Sequence, residues 1–288
     1  RNNLTYSEYT SKNIIMEIEK IFNRFWVPYS TQNPSAKRIF DLFTEQGEKV
    51  VHDHIALRTF NDPRMNIDVI AKVFTENGYE AKGEYNFKAK KVFGRHFEHK
   101  TDPNAPKAFI SELLIDQFSD YLQSTLYDYI NGLDDSVYLD PDLVYQGSIW
   151  GKIPFETYNK LREESEYAAW LLVYGFRANH FAIKVNELKN FHTLQEVNAF
   201  VKRNGYVMNT AAGEIYGTPE ELLEQSATKA EIMPFDFADG VYEIPSCFYE
   251  FTLRYSDENG KQYSGFIAAN ADKIFESTNY YKKQADMM

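Results

Sequence analysis

Two histidines and one glutamate carry the densest chemical information in this chain. His54 lies in Asp53-His54-Ile55-Ala56-Leu57-Arg58 and His180 in Asn179-His180-Phe181-Ala182-Ile183-Lys184. The shared pattern is a polar residue, His, an apolar residue, Ala, an apolar residue and a cation. The two histidines are 126 positions apart (180 − 54). A lone histidine on a strand is usually a hydrogen-bonded structural residue. Two in equivalent positions of a repeat, facing a common axis, are better explained as ligands. Glu250 in Phe248-Tyr249-Glu250-Phe251 supplies a carboxylate on a later strand. Two imidazoles and one carboxylate on rigid strands form the set that binds Fe(II) on one face and leaves positions open. Glu112 in FISEL is the apparent counterpart of Glu250. It is either an accessory ligand or a remnant that hydrogen-bonds nearby.

Arg58 lies four residues after His54, on the same face of an ideal strand and roughly 13 Å further along. A guanidinium there suits a substrate carboxylate; the alternative is an internal salt bridge, for example to Glu112. The same parity puts Lys184, Thr252 and Arg254 on the inward face. His52 shares the parity of His54 at the strand entrance. His96 and His99, in the charged stretch GRHFEHK, read as surface residues, and His192 just precedes a helix. Cys247 has the opposite parity to Glu250 and reads as a buried, inert thiol. No G-x-G-x-x-G, Walker loop, G-x-S-x-G or H-E-x-x-H is present, which removes the usual nucleotide, serine-hydrolase and zincin readings.

The repeat extends beyond these strands. A helix follows each and closes in Asn-Gly-Tyr, at 77–79 and 204–206. A Gly-Glu pair comes next in each copy, at 83–84 and 213–214, and an aromatic strand ends it. The repeating unit is βαβββ. The expected class is α+β: two βαβββ modules forming one curved, barrel-like mixed sheet with additional helices. Residues 1–50 read as N-terminal helices, 51–115 as the first module, 116–178 as a mainly helical connection, 179–270 as the second module and 271–288 as a tail. The first helix is expected to start near Ser11, carry Ile14, Ile15 and Ile18 on one side, and stop at Pro28. A second starts near Ser35 and ends at Gly47, and a third spans 66–77.

Composition sets the outer limits. The 288 residues carry a net charge of −11 and no Lys/Arg-rich run, a poor basis for binding nucleic acid. No stretch approaches the roughly 18 apolar residues of a membrane span. The single cysteine excludes an intramolecular disulfide framework and a cysteine-built metal site. Arg1-Asn2-Asn3-Leu4 shows no apolar signal core, and a cytoplasmic location is expected. A homo-oligomer is compatible with the composition.

The paired units resemble the vicinal-oxygen-chelate superfamily and, more narrowly, the 2-oxoadipate dioxygenase/decarboxylase family. The residues carrying this are DHIALRTF at 53–60, SEYAAWLLVYGFRANHF at 165–181, LLEQSAT at 222–228 and IPSCFYEF at 244–251. The resemblance implies an Fe(II) site of His54, His180 and Glu250, and Arg58 on the substrate carboxylate. It also brings Gln225 and Ser226 to the pocket. The implied partners are a small 2-oxo acid and O2, with 2-oxoadipate going to 2-hydroxyglutarate and CO2 in lysine breakdown. Two alternatives stand beside it: a glyoxalase-type isomerase or lyase using Zn, Ni or Mn, and a non-catalytic small-molecule binding protein. In an acidic chain the positive potential for a dicarboxylate must be local, expected from Arg58, Lys184, Arg254 and the metal.

Overall fold

The computed structural model describes residues 6–280, with side chains from residue 17 onward. Two helices lead, α1 (Tyr6–Gln32) and α2 (Pro34–Glu45). Ser11 lies inside α1, and the side chains of Ile14 and Ile15 fall outside the described residues. Pro28 does not stop α1 as expected. Its ring costs one helical hydrogen bond, but burial on both sides outweighs this. Phe25 and Tyr29 are fully buried, and the Tyr29 hydroxyl donates to the Phe248 carbonyl. Pro34 sits in the first turn of α2, where its missing N–H is harmless. Gly47, at φ +81°, ends the helix as expected.

The first half of the sheet follows: β1 (His52–Phe60), the one-turn helices α3 (Ile67–Ile70) and α4 (Lys72–Thr75), then β2 (Tyr79–Phe87), β3 (Val92–His99) and β4 (Lys107–Leu113). The expected single helix over 66–77 is thus two short turns meeting at Ala71. Ile67, Ile70 and Phe74 anchor them in the core, and β-branched Ile67, Val69, Ile70 and Val73 favour a long helix weakly. The connection is helical: α5 (Asp120–Asn131), α6 (Asp135–Tyr138), α7 (Phe155–Glu164) and α8 (Glu166–Tyr174). Every residue of α8 after Glu166 is buried, which fits a helix that is apolar all round. The second half contains β5 (Ala178–Lys184), α9 (Leu194–Arg203), β6 (Tyr216–Thr218), β7 (Leu223–Ala227), a hairpin of β8 (Ile232–Phe237) and β9 (Gly240–Pro245), β10 (Phe248–Arg254) and α10 (Ala268–Ile274). A capping box between Thr193 and Glu196 starts α9.

The eight-stranded order is β2-β3-β4-β1-β5-β10-β7-β6, with β8–β9 a separate two-stranded sheet. Central β1 and β5 are antiparallel, while β1–β4 and β5–β10 are parallel. Read outward from the centre, each half runs first strand, last strand, third, second. The architecture is α+β, a curled half-barrel sheet with helices. Helix α1 packs on β5, and α2 and α9 pack on β10, so β1, β5 and β10 are buried on both faces. Residues 271–278 do not form a loose tail. They continue α10 into a 3-10 turn at Phe275–Thr278, with Ile274, Ser277 and Thr278 buried. Residues 281–288 lie outside the described part.

Candidate metal centre

Strand register brings the three ligand candidates together. Ala56 pairs with His180 across β1–β5, and Glu250 pairs with Ala182 across β10–β5. One donor atom from each of His54, His180 and Glu250 lies within 4.8 Å of the others, and all three residues are buried. His54 Nε2 is 3.5 Å from Glu250 Oε1, and His180 Nε2 is 3.1 Å from Glu250 Oε2. The far ring nitrogens are occupied. His54 Nδ1–H donates to Asp53 Oδ1 at 2.8 Å and His180 Nδ1–H to Asn179 Oδ1 at 3.0 Å. Both acceptors take a proton from Nδ1, so Nε2 is the ring atom that each histidine turns inward toward Glu250. Glu250 Oε1 accepts from Gln225 Nε2 at 2.7 Å and Thr252 Oγ1 at 2.8 Å. A converging set of two imidazole nitrogens and one anchored carboxylate fits a divalent metal.

The local electrostatics match this donor set. Burial opposes the Glu250 carboxylate, yet His54 and His180 outweigh it and hold its pKa below the usual range. Burial likewise opposes the His54 imidazolium, but Glu250 and Asp53 raise its pKa. At His180 burial wins and lowers it. Asp53 is pulled well below the carboxylate range, burial notwithstanding, by the Arg254 guanidinium.

A narrow cleft opens from this point along β1. Phe248 stacks on His180 with centroids 4.5 Å apart, and Phe266 stands edge-on to His54 at 4.8 Å. Arg58 lies at the far end, 2% exposed. Its Nη1 reaches Glu166 Oε1 at 3.4 Å and its Nη2 donates to Thr278 Oγ1 at 3.1 Å, while Nε has no partner among the described residues. The rings of Tyr167, Trp170 and Phe275 surround the guanidinium at 4.7, 4.9 and 5.5 Å. Asn179 Nδ2 and Gln225 Oε1, on residues that also line the cleft, are likewise buried without a partner. Unsatisfied polar atoms are costly in a closed core, and their grouping around one cleft suits a polar ligand.

Several expected residues fall elsewhere. Glu112 pairs in register with Thr59 on the opposite face, and its carboxylate accepts from the Ile67 N–H at 2.9 Å. It touches neither the triad nor Arg58. The true counterpart of Glu250 is Phe109, since Ala56 pairs with Phe109 as Ala182 pairs with Glu250. Ser226 points away from the cleft and donates to Asn198 Oδ1 at 2.7 Å, because it alternates with inward Gln225. Lys184 pairs with Glu187 at 3.2 Å outside the cleft. Arg254 is consumed by Asp53 and by the carbonyls of Tyr263 and Gly265. Arg58 is therefore the one Lys or Arg lining the cleft among the described residues. His96 and His99 are buried, not exposed. His96 bridges the Tyr85 hydroxyl and Glu98 at 2.8 Å each, and His99 Nδ1 accepts from the Asp102 N–H at 3.0 Å. A bulge between His52 and His54 breaks their shared parity. His52 turns toward Trp26 and Phe181 and meets the Tyr249 hydroxyl at 2.7 Å. Cys247 is buried, and burial pushes its thiol up to about 11.

The 2-oxoadipate dioxygenase/decarboxylase family model matches residues 24–138 and 142–257. The chain belongs to the 2-oxoadipate dioxygenase/decarboxylase family. It is 34% identical over 292 aligned positions to a 2-oxoadipate dioxygenase/decarboxylase of Oryza sativa subsp. japonica, covering 93% of this chain and 78% of the relative. A solved hydroxyglutarate synthase of Oryza sativa in complex with 2-oxoadipate superposes with a TM-score of 0.81 at 32% identity, covering 96% of this chain and 95% of that one. A solved Shewanella frigidimarina protein matches at 44% identity and TM-score 0.82, covering 88% and 98%. The chain is thus an enzyme of the dioxygenase/decarboxylase type, and the reading as a non-catalytic binder falls. The cytoplasmic expectation is also overturned, because the curated rice relative is a chloroplastic or amyloplastic protein. No helix among the described residues is long and apolar enough to cross a membrane.

Proposed function

We propose that the chain is an Fe(II)-dependent enzyme that converts 2-oxoadipate and O2 to 2-hydroxyglutarate and CO2, as a step of lysine breakdown. The observation that carries this reading is the convergence of His54, His180 and Glu250 at one end of a cleft whose other end is Arg58. The rice relative's bound 2-oxoadipate supports the substrate class.

His54, His180 and Glu250 would hold the iron, which when bound would supply Lewis-acid and redox chemistry toward a 2-oxo acid and O2. The remaining work belongs to the protein. Arg58 takes the distal carboxylate, its charge strengthened by three surrounding rings and little water. Glu166 and Thr278 fix the guanidinium plane, leaving Nε free to donate. Phe109, Phe248, Phe266 and Phe275 wall the methylene chain and exclude solvent. In the overall change the C1–C2 bond breaks and C1 leaves as CO2. One oxygen atom completes the new carboxylate and the other becomes the hydroxyl on the shortened chain.

Anaerobic iron loading followed by parallel O2 and CO2 measurement tests the proposal. One CO2 per O2 with 2-oxoadipate is expected. Absence of O2 uptake with every five- or six-carbon 2-oxo diacid overturns it, and turnover without O2 in the presence of Zn, Ni or Mn would favour an isomerase or lyase.

A further inference from the structure

The two imidazoles are backed by different groups. Behind His54 is Asp53, 1% exposed at its side chain and clamped by Arg254 in a bidentate pair, Nε to Oδ2 at 2.7 Å and Nη2 to Oδ1 at 2.9 Å. Behind His180 is the neutral amide of Asn179, whose Nδ2 has no partner among the described residues. The same Arg254 guanidinium reaches further. Its Nη1 donates to the carbonyls of Tyr263 and Gly265 at 3.2 and 2.7 Å, and its charge lies 5.1 Å from the Phe266 ring centre. The Phe266 N–H donates to Tyr85 at 3.1 Å, and the Phe266 ring stands edge-on to His54. A single buried cation therefore holds both the acceptor behind His54 and the loop packed against its ring.

We propose that Asp53 and Arg254 are a positioning pair that fixes His54 and residues 263–266 around it, making His54 a stronger metal donor than His180. The inference rests on the metal reading above. A carboxylate accepting from a ligand imidazole fixes its tautomer and raises its basicity, and losing such an outer group typically lowers metal affinity roughly 10–100-fold. A neutral amide fixes the tautomer with less electron donation. An isolated Asp53→Asn change would strand the buried Arg254 charge, so the informative variant is Asp53→Asn combined with Arg254→Met.

Co(II) titration of the full chain, read by its visible absorption, separates the outcomes. Wild type is expected to bind one Co(II), and His54→Ala to lose it. If wild type binds none, the metal reading itself has failed. The double variant should still melt cooperatively, bind Co(II) roughly 10–100-fold more weakly and show a shifted absorption band. Asn179→Ala should lose less affinity than the double variant. Amide hydrogen exchange at residues 263–266 should accelerate when Arg254 is replaced. An unshifted band and unchanged affinity in the double variant, with wild type binding normally, would reduce Asp53–Arg254 to a structural ion pair. A larger loss in Asn179→Ala would reverse the donor ranking and overturn the proposal.

Discussion

In the first half of the sheet, the residue paired with the alanine two positions beyond the histidine is Phe109; in the second half it is Glu250. Four positions beyond each histidine the contrast repeats. Arg58 is buried at the end of the cleft with a free Nε, whereas Lys184 pairs with Glu187 outside it. The halves share register and strand order but divide the chemistry. The first gives an imidazole and the cation at the end of the cleft, and the second an imidazole and the carboxylate. A duplicated frame thus places equivalent positions at one junction, and divergence at those positions builds an asymmetric site that neither half holds alone.

The largest test of that division is Glu250→Ala. It should abolish metal retention, with O2 uptake falling by more than the roughly 100-fold typical of an outer-sphere change, measured by metal analysis and an oxygen electrode. Phe109→Ala comes next. It should cost about 3–5 kcal/mol of stability in a denaturant titration while metal stoichiometry stays at one. A metal loss comparable to that of Glu250→Ala would break the assignment of Phe109 as a wall. Arg58→Met should raise KM for 2-oxoadipate by the equivalent of about 1.5–3 kcal/mol, the worth of a charged hydrogen bond, and Lys184→Met should leave KM within about twofold, because Lys184 stands outside the cleft and pairs with half-exposed Glu187. Equal effects would erase the contrast between the two cations. The smallest effect belongs to Glu112→Gln, below about 1 kcal/mol in stability and with unchanged metal content, because its carboxylate only accepts from the Ile67 N–H.

The α+β class and the joining of two modules into one curved sheet were legible because both first strands carry the same six-residue pattern. His54 and His180 were legible as a pair for the same reason, and Glu250 as the carboxylate on the last strand of the second module. Parity arguments then failed where the strand departs from ideal pleating: the bulge before His54 turns His52 away from the cleft and puts Asp53 beside His54. The pairing of Glu112 with Glu250 failed because it matched residue type and not register. Asp53 and Asn179 were visible as the polar residue before each histidine, yet their role depends on Arg254, 201 positions from Asp53. Phe266, Phe275 and Thr278 left no local signal, since they reach the cleft only through the return of residues 263–278 over the sheet. Pro28 misled because local propensity was outweighed by the burial of Phe25 and Tyr29.

The most direct measurement is a crystal structure of the protein loaded anaerobically with Fe(II) and soaked with 2-oxoadipate without O2. The account predicts one metal roughly 2.0–2.3 Å from Nε2 of His54, Nε2 of His180 and a Glu250 oxygen, with the distal carboxylate of the 2-oxo acid on Arg58. A metal bound elsewhere, or a 2-oxo acid whose distal carboxylate does not meet Arg58, would contradict it.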